Sequence, residues 1–303
     1  MQWKKGDIVT RKSYNHDLLF RIQSIKRDLA QLYGEDYRLE ADAPVDDLEK
    51  VDKRELLKRK KAEREKEDYS FRLFRQDYHL LRKKQEYEVT STAGDNVKYF
   101  QIPPRVLHVD GDAIYLKKCI HLYRRLGLQV HGLHIDEREM PLKIKELLEK
   151  IQPDVLVVTG HDSYTKNKGD KNDIRAYRNS KFFSETVREA RKYTPSLDQL
   201  VIFAGACQSH FESLIRAGAN FASSPLRVNI HALDPVYIVA KIGYTSFMEK
   251  VGVWDVLKHT ITGEKGLGGV ETRGLFRTGL PYPEDDKNLA VEHPQVYQQD
   301  TDE

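Results

Sequence analysis

Apolar and polar positions change rhythm twice along the chain. In the first stretch, short apolar runs alternate with turn residues: Gly6-Asp7-Ile8-Val9, then Leu18-Leu19-Phe20-Arg21-Ile22, then Tyr37-Arg38-Leu39 after Gly34. Runs of this length bounded by turns predict two or three short strands. Residues 1–45 are therefore read as a small SH3-like β-barrel, a shape used for docking in many proteins and specific to none. From Asp46 to Glu88 the apolar runs give way to mixed charge, as in Lys58-Arg59-Lys60-Lys61 and Glu63-Arg64-Glu65-Lys66-Glu67, with few helix breakers. That pattern predicts a solvated helix. Phe71, Phe74, Tyr78 and Leu81 recur at helical spacing, so one face of its second half should dock on the body of the protein. Thr90–Asn96, with Ala93-Gly94-Asp95, reads as an exposed linker, and 46–96 as a charged helical connector.

Beyond Pro103 strand-like and helix-like segments alternate. Val106–Val109 reads as a strand, Ile114–Leu126 as a helix stopped at Gly127, and Leu128–Leu133 as a strand. Pro141–Ile151 reads as a helix ended by Pro153, and Asp154–Val158 as a strand. A helix near Phe182–Tyr193, a strand at Leu200–Phe203 and a helix at Glu212–Ala217 follow, and Val236–Val239 is a candidate further strand. Strand and helix in alternation predict an α/β fold with a mainly parallel sheet and right-handed crossovers over residues 97–285. Glycines break up Thr262–Pro283, without the Lys-Ser/Thr ending of a phosphate-binding loop, and 286–303 is a polar tail.

Composition narrows the class. With 50 basic against 47 acidic residues in a 303-residue chain, the net charge of +3 gives no electrostatic case for nucleic-acid binding. Only Cys119 and Cys207 are present, too few for a disulfide framework or a four-cysteine zinc site, which suits a reducing compartment. No apolar run approaches the roughly 20 residues that span a bilayer, and the first residues lack the apolar stretch of a secretory signal. Cytoplasmic synthesis and no membrane partner are the expectations.

Two of the apolar blocks end alike. Val155–Val158 runs into Gly160-His161-Asp162, and Leu200–Phe203 into Ala206-Cys207-Gln208. In open α/β sheets ligands bind beyond the carboxyl ends of the strands, so a base and a thiol on neighbouring strand ends would meet there. Thiol chemistry requires a thiolate, which an imidazole or a helix N-terminus favours; Cys207 precedes a helical stretch, and His161 is the candidate general base. Cys119, between Leu116 and Leu122, reads as a small buried hydrophobe. His210 ranks below His161, because it would lie a turn down the helix from the strand-end site. Gln208 and Ser209 suit either a pocket wall or the solvent. His131, His134 and Asp136 do not make a convincing metal set, and no resident metal or cofactor is expected. Asp110-Gly111-Asp112, just past another strand, suits a tight turn, but two aspartates at a strand end also suit Mg²⁺-assisted phosphoryl transfer.

His161 after one apolar block, followed 46 residues later by Cys207 after another, resembles the caspase-like peptidases of the clostripain, gingipain and separase type. Over the whole chain the sequence resembles the YabG family of sporulation-specific cysteine proteases. The resemblance rests on Gly6–Val9 with Arg11-Lys12-Ser13-Tyr14, on Thr159-Gly160-His161-Asp162 and Gly205-Ala206-Cys207-Gln208, and on Glu271–Phe276. It implies a caspase-like α/β catalytic domain and an intracellular cysteine endopeptidase with Cys207 as nucleophile and His161 as base. It also implies spore coat and other spore proteins as substrates in the mother cell of a sporulating bacterium. Caspase-like enzymes carry Gly after the catalytic His, where this chain has Asp162, so the oxyanion donors to consider are the backbone groups of Asp162 and Cys207. Arginine-preferring relatives imply a P1 arginine pocket, for which Asp110 and Asp112 are the candidates. An enzyme of that specificity could nick itself within the arginine-rich segment 54–82. Outside this resemblance, the alternatives are the Mg²⁺-dependent phosphoryl-transfer enzyme centred on Asp110 and Asp112, and a non-enzymatic coat-assembly adaptor docking through the N-terminal barrel.

Overall fold

Turn residues and alternating burial divide the first 50 residues into five strands: β1 (Ile8–Arg11), β2 (Phe20–Lys26), β3 (Leu29–Gly34), β4 (Glu40–Pro44) and β5 (Leu48–Lys50). They form an antiparallel sheet in the order β4-β3-β2-β1-β5, five strands where the sequence pattern predicts two or three. Phe20, Ile22, Ala30 and Leu32 supply its buried face. The computed structural model describes residues 3–93 and 100–279, apart from the side chains of 85–93. Part of the expected linker, 94–96, and the polar tail, 286–303, lie outside the described residues.

The charged segment is a long helix, α1 (Lys53–Ala93), which takes in the start of the expected linker. Its aromatic stripe docks as the spacing requires. Phe74 is 2% exposed and lies against Tyr237 and Tyr244. Asp77 receives Lys241 Nζ at 2.6 Å.

The rest alternates as the sequence pattern requires: β6 (Phe100–Ile102), β7 (Val106–Asp110), α2 (Ala113–Arg125), β8 (Val130–His134), α3 (Met140–Ile151), β9 (Val155–Thr159), α4 (Ser180–Tyr193), β10 (Val201–Ala204), α5 (Phe211–Ala217) and β11 (Phe221–Ser223). Then come α6 (Asp234–Tyr244), β12 (Lys250–Val251), α7 (Val253–Leu257), β13 (Leu267–Gly269), β14 (Thr272–Arg273) and β15 (Arg277–Gly279). The main sheet runs β13-β11-β10-β9-β7-β8, parallel except for β13 at its edge. Every residue of β7, β9 and β10 is buried, as expected of parallel strands covered on both faces. One apolar cluster joins α2, α6 and the N-terminal sheet on one face, and a second joins α3, α4 and α5 on the other. Among the described residues no helix is long and apolar enough to cross a membrane.

Two expectations need correction. Val236–Val239 lies inside α6, not in a strand. Every residue of α6 is buried, so it shows no polar face, and a continuous apolar run does not distinguish a core helix from a core strand. Tyr37-Arg38-Leu39 is not a strand of the small sheet. It is the connection between β3 and β4, and it pairs with the large sheet's loops instead: Tyr37 with His231 and Leu39 with Asp162.

The docking of α1 is a tertiary feature that a free solvated helix would lack. Phe74→Ala should therefore lower the unfolding free energy by about 3–5 kcal/mol, the cost of emptying a buried aromatic site. Urea denaturation checks this; a change near zero would mean that α1 does not pack on α6.

Candidate functional site

Strand pairing brings three chain ends together. β9 lies beside β10 with Val158 opposite Ala204, and beside β7 with Asp110 opposite Thr159. The segments that follow these strands carry Asp110-Gly111-Asp112, Gly160-His161-Asp162 and Gly205-Ala206-Cys207. His161, Asp162 and Cys207 are all buried, as are Asp110 and Asp112.

The two aspartates do different things. Asp110 is fully buried and binds the guanidinium of Arg38, with Nη1 2.7 Å from Oδ2. His108 and the Thr159 hydroxyl also face its carboxylate. Burial alone would raise its pKa, but Arg38 and His108 outweigh that and hold it well below the usual carboxylate range. Asp112 caps α2 through Oδ1, which accepts from the Ile114 and Tyr115 amides. Its Oδ2 faces Arg21 at 3.3 Å and His161 Nε2 at 3.1 Å.

His161 thus lies between carboxylates. Nε2 faces Asp112, without the alignment of a full hydrogen bond, and Nδ1 is 3.6 Å from Glu137. Glu137 also accepts the His161 backbone amide at 2.9 Å. The ring stacks on Tyr33, with centroids 3.7 Å apart. Burial would lower the imidazole pKa, but Asp112 and Glu137 outweigh it and raise the value to about 9. Two glycines make room for this arrangement, since a Cβ at Gly111 or Gly160 would overlap the Glu137 carboxylate.

Asp162 does not hold the imidazole, and it is not a solvated loop carboxylate. It is fully buried, accepting the Ser163 and Asn179 amides through Oδ1 and the Ser180 and Ser209 hydroxyls through Oδ2. Burial raises its pKa to about 6 against the pull of those donors. The side chain thus anchors the loop and leaves the backbone amide to face the site.

Cys207 sits in a turn, four residues before α5 begins, so the helix end expected beside its sulfur is not there. The nearest backbone donor is the Ile230 amide, 3.0 Å from Sγ, and the thiol reaches the Ile230 carbonyl at 3.5 Å. Burial pushes the thiol pKa well up. The thiol bonds Ile230 and the imidazole faces carboxylates, so the two are not bonded to each other. What links their strand ends is Arg38: its carbonyl oxygen accepts the Cys207 amide at 3.2 Å and the Asp162 amide at 3.4 Å.

The comparisons with known proteins bear on this arrangement. A model of the family described as YabG peptidase U57 matches residues 4–281. The chain belongs to that peptidase family. It is also 58% identical to the sporulation-specific protease YabG of Bacillus subtilis (strain 168) over 287 residues, covering 93% of this chain and 99% of that one. Membership makes this peptidase a hydrolase of peptide bonds, and the small N-terminal sheet falls inside the matched region.

Other expectations fall away from the centre of this peptidase. His210 is the N-cap of α5, where Nδ1 accepts the Ser213 amide. His134 faces the Gly111 carbonyl. Gln208 bonds the Tyr164 amide and Asn229, and lines a groove of about 530 Å³ beside Leu39 and Glu40. Ser209 is buried on Asp162 rather than solvated. Among the described residues, His108, Asp110 and Cys119 are close enough together to hold a metal, but the Arg38 guanidinium already occupies that space through Asp110 and Cys119. Glu137, Tyr33 and Arg38 were not anticipated. Glu137 follows the end of β8, so the strand-end rule that found His161 would also have flagged it.

A histidine whose folded pKa is raised contributes stability that is fully present below its ordinary value of 6.5 and lost as pH climbs through about 9. The unfolding midpoint should therefore fall between those pH values. Asp112→Asn, which keeps the helix cap, should flatten the fall. Thermal scans across this range check it; an unchanged slope would show that Asp112 does not stabilise the imidazolium.

Proposed function

We propose that this chain is a cysteine endopeptidase that cleaves after arginine, with Cys207 as nucleophile, His161 as general base and then acid, and Asp110 at the base of the P1 pocket. The supporting observation is the position of Arg38. Its guanidinium lies on Asp110 while its carbonyl oxygen lies on the amides of Cys207 and Asp162. One residue thus fills a cation pocket with its side chain and meets two converging N–H donors with its carbonyl. A P1 arginine at the point of attack would have the same demands.

Substrate residues before the cut would pair with Ile230–Ala232, as the chain's own segment does. Arg38 donates its amide to Ile230 O, and Ala232 donates to Asp36 O. Backbone pairing of this kind holds a peptide extended with little regard to its side chains, leaving selectivity to the P1 pocket. Asp112 and Glu137 raise the basicity of His161, which lowers the cost of passing the Cys207 proton to it, while in the resting state burial keeps the thiol neutral. The thiolate attacks the carbonyl carbon, and negative charge develops on the oxygen facing the Cys207 and Asp162 amides. A preorganised donor of this type is worth about 3 kcal/mol in the transition state. His161 then protonates the leaving amine, and water releases the acyl group.

The name of the Bacillus subtilis relative, and the extent of its identity with this chain, support a role in sporulation. We extend the proposal to spore coat and other spore proteins as substrates, in the mother-cell cytoplasm. Phosphoryl transfer is disfavoured because Asp110 and Asp112 each already face an arginine and do not converge on an open cation site. Family membership likewise weighs against a purely structural adaptor.

Cys207→Ala and His161→Ala should each abolish hydrolysis of a peptidyl-arginine substrate while preserving the circular dichroism of the fold, and EDTA should leave activity unchanged. Asp110→Asn should lower kcat/KM for arginine by about 100-fold, the loss of a buried charge-assisted contact, with much less effect on a neutral P1 residue. Full activity of a folded Cys207→Ala variant, or equal losses on arginine and neutral substrates in Asp110→Asn, would refute the assignment.

A further inference from the structure

The groove beside Gln208 is a part of the cleft that the bond-breaking chemistry does not use. It encloses about 530 Å³ between the small sheet and the loop that follows His161. One wall is the start of β4, residues 39–42, with Phe20 behind it, and the other is 163–167. At its inner end lie Gln208 and Asn229, the chain neighbours of Cys207 and Ile230. The groove is therefore continuous with the site, and Arg38 shows on which side. A chain that passes Ile230 and turns its carbonyl to the Cys207 and Asp162 amides continues toward Leu39, where this wall begins.

The walls suit a peptide backbone. β4 is an edge strand of the small sheet, and the Glu40 amide reaches Asp162 O at 3.5 Å, so the edge not paired with β3 turns toward the loop. Past that contact the two walls separate. An edge strand carries donors and acceptors that an added strand can take up. The charges around the groove are largely matched already: Arg11 lies on Asp47, and Arg178 on Glu40 and Asp42. Lys166 and Asp17, also at the groove, are of opposite sign. No single charge on an incoming side chain is called for. Glu40 and Asp42 are held by Arg178 and not through Arg38, so this wall stays in place when another chain takes the Arg38 position.

Gln208 shows that the groove is more than a gap between two units. It has a φ of 55°, in the left-handed region that glycine and asparagine enter most readily. A turn needed only to change direction is made there without strain by glycine. The glutamine adds a side chain that spans the inner end. Oε1 accepts the Tyr164 amide at 3.1 Å, and Nε2 lies 3.3 Å from Asn229 Oδ1. Its own amide donates to Val228 O at 3.0 Å. The loop after the base is thereby fixed to the segment leading into Ile230, so the two halves of the cleft keep one register. Backbone strain retained at such a point is evidence of a positioning role.

We propose that this groove binds the substrate's residues after the cut, as an extended segment held through its backbone, with Gln208 positioning the inner end. This rests on the cysteine-peptidase reading of the same site and names its substrate class: polypeptide that is extended for several residues beyond the arginine. A helical segment bonds its backbone groups within itself and has none to offer β4.

The test is a series of amidated peptides, identical up to the arginine and lengthened after it from one residue to four, with kcat/KM measured for each. In wild type kcat/KM should rise by about tenfold or more along the series, as remote binding energy is used at the cut. Exchanging neutral added residues for acidic or basic ones should change it by less than about threefold, because backbone pairing is indifferent to side chains. N-Methylation of the second added residue, which removes a backbone donor, should abolish most of the gain. Gln208→Ala should reduce the gain at least fivefold. Thr165→Trp, which fills the groove from its other wall and leaves the turn at 208 intact, should do the same. A wild-type series flat within twofold, or a gain retained in both folded variants, would overturn the groove and leave the peptidase reading standing. Hydrolysis of no member of the series would overturn the two together.

Discussion

The ion pair between Arg38 and Asp110 is the contact on which the site depends. Both side chains are fully buried, so each lost its hydration on folding, and neither is tolerable there without the other. A pair of this kind adds little net stability compared with apolar residues of the same size. Removing one partner, however, leaves an uncompensated charge at a cost of several kcal/mol. The small sheet is therefore bound to the large one through a contact that is specific rather than simply strong. The arginine selectivity proposed for Asp110 rests on the same physics: a buried carboxylate held ionised by a guanidinium is costly to leave empty. On that proposal, an incoming chain would displace the loop at least cost when it brings another guanidinium, whose fixed fork of donors matches what Arg38 would leave behind.

That exchange explains why the carboxylates could be sorted only in the structure. In sequence, Asp110 and Asp112 flank one glycine and look equivalent. Their difference comes from residues far along the chain, Arg38 for one and Arg21 with His161 for the other. Composition and local pattern carry no information about such pairings. The strand ends were legible because buried parallel strands are continuous apolar runs, and chemistry placed just after such runs converges by topology. The same reasoning failed at α6, where burial on all sides removed the polar face that marks a surface helix. It failed again at Tyr37-Arg38-Leu39, where a strand-like pattern proved to be extended chain, but paired with loops of the other sheet. An extended conformation is what a strand former and a bound peptide share, so the local reading was right about shape and wrong about partner.

The aspartate after His161, where the caspase-like enzymes that the sequence resembles carry glycine, finds its explanation in burial. A side chain there would crowd the site if it faced the substrate. Asp162 turns away and is held by two hydroxyls and two amides, which leaves its own N–H on the Arg38 carbonyl. The glycine requirement has moved one residue back, to Gly160, where a Cβ would collide with Glu137. The space is kept for the carboxylate that holds the histidine.

Cys207 completes the picture from the opposite direction. A buried thiol beneath an occupied cleft is a poor nucleophile, because burial favours its neutral form and its hydrogen bonds go to Ile230. His161, in contrast, is held as a strong base by two carboxylates whether or not a substrate is present. Below about pH 9 the imidazole is thus held protonated while the thiol is held neutral. On the proposed reading the thiol proton passes to the neutral fraction of His161, and the oxygen of a carbonyl drawn against the Cys207 and Asp162 amides is where the developing negative charge would come to rest. In this chain the Arg38 carbonyl oxygen holds that position.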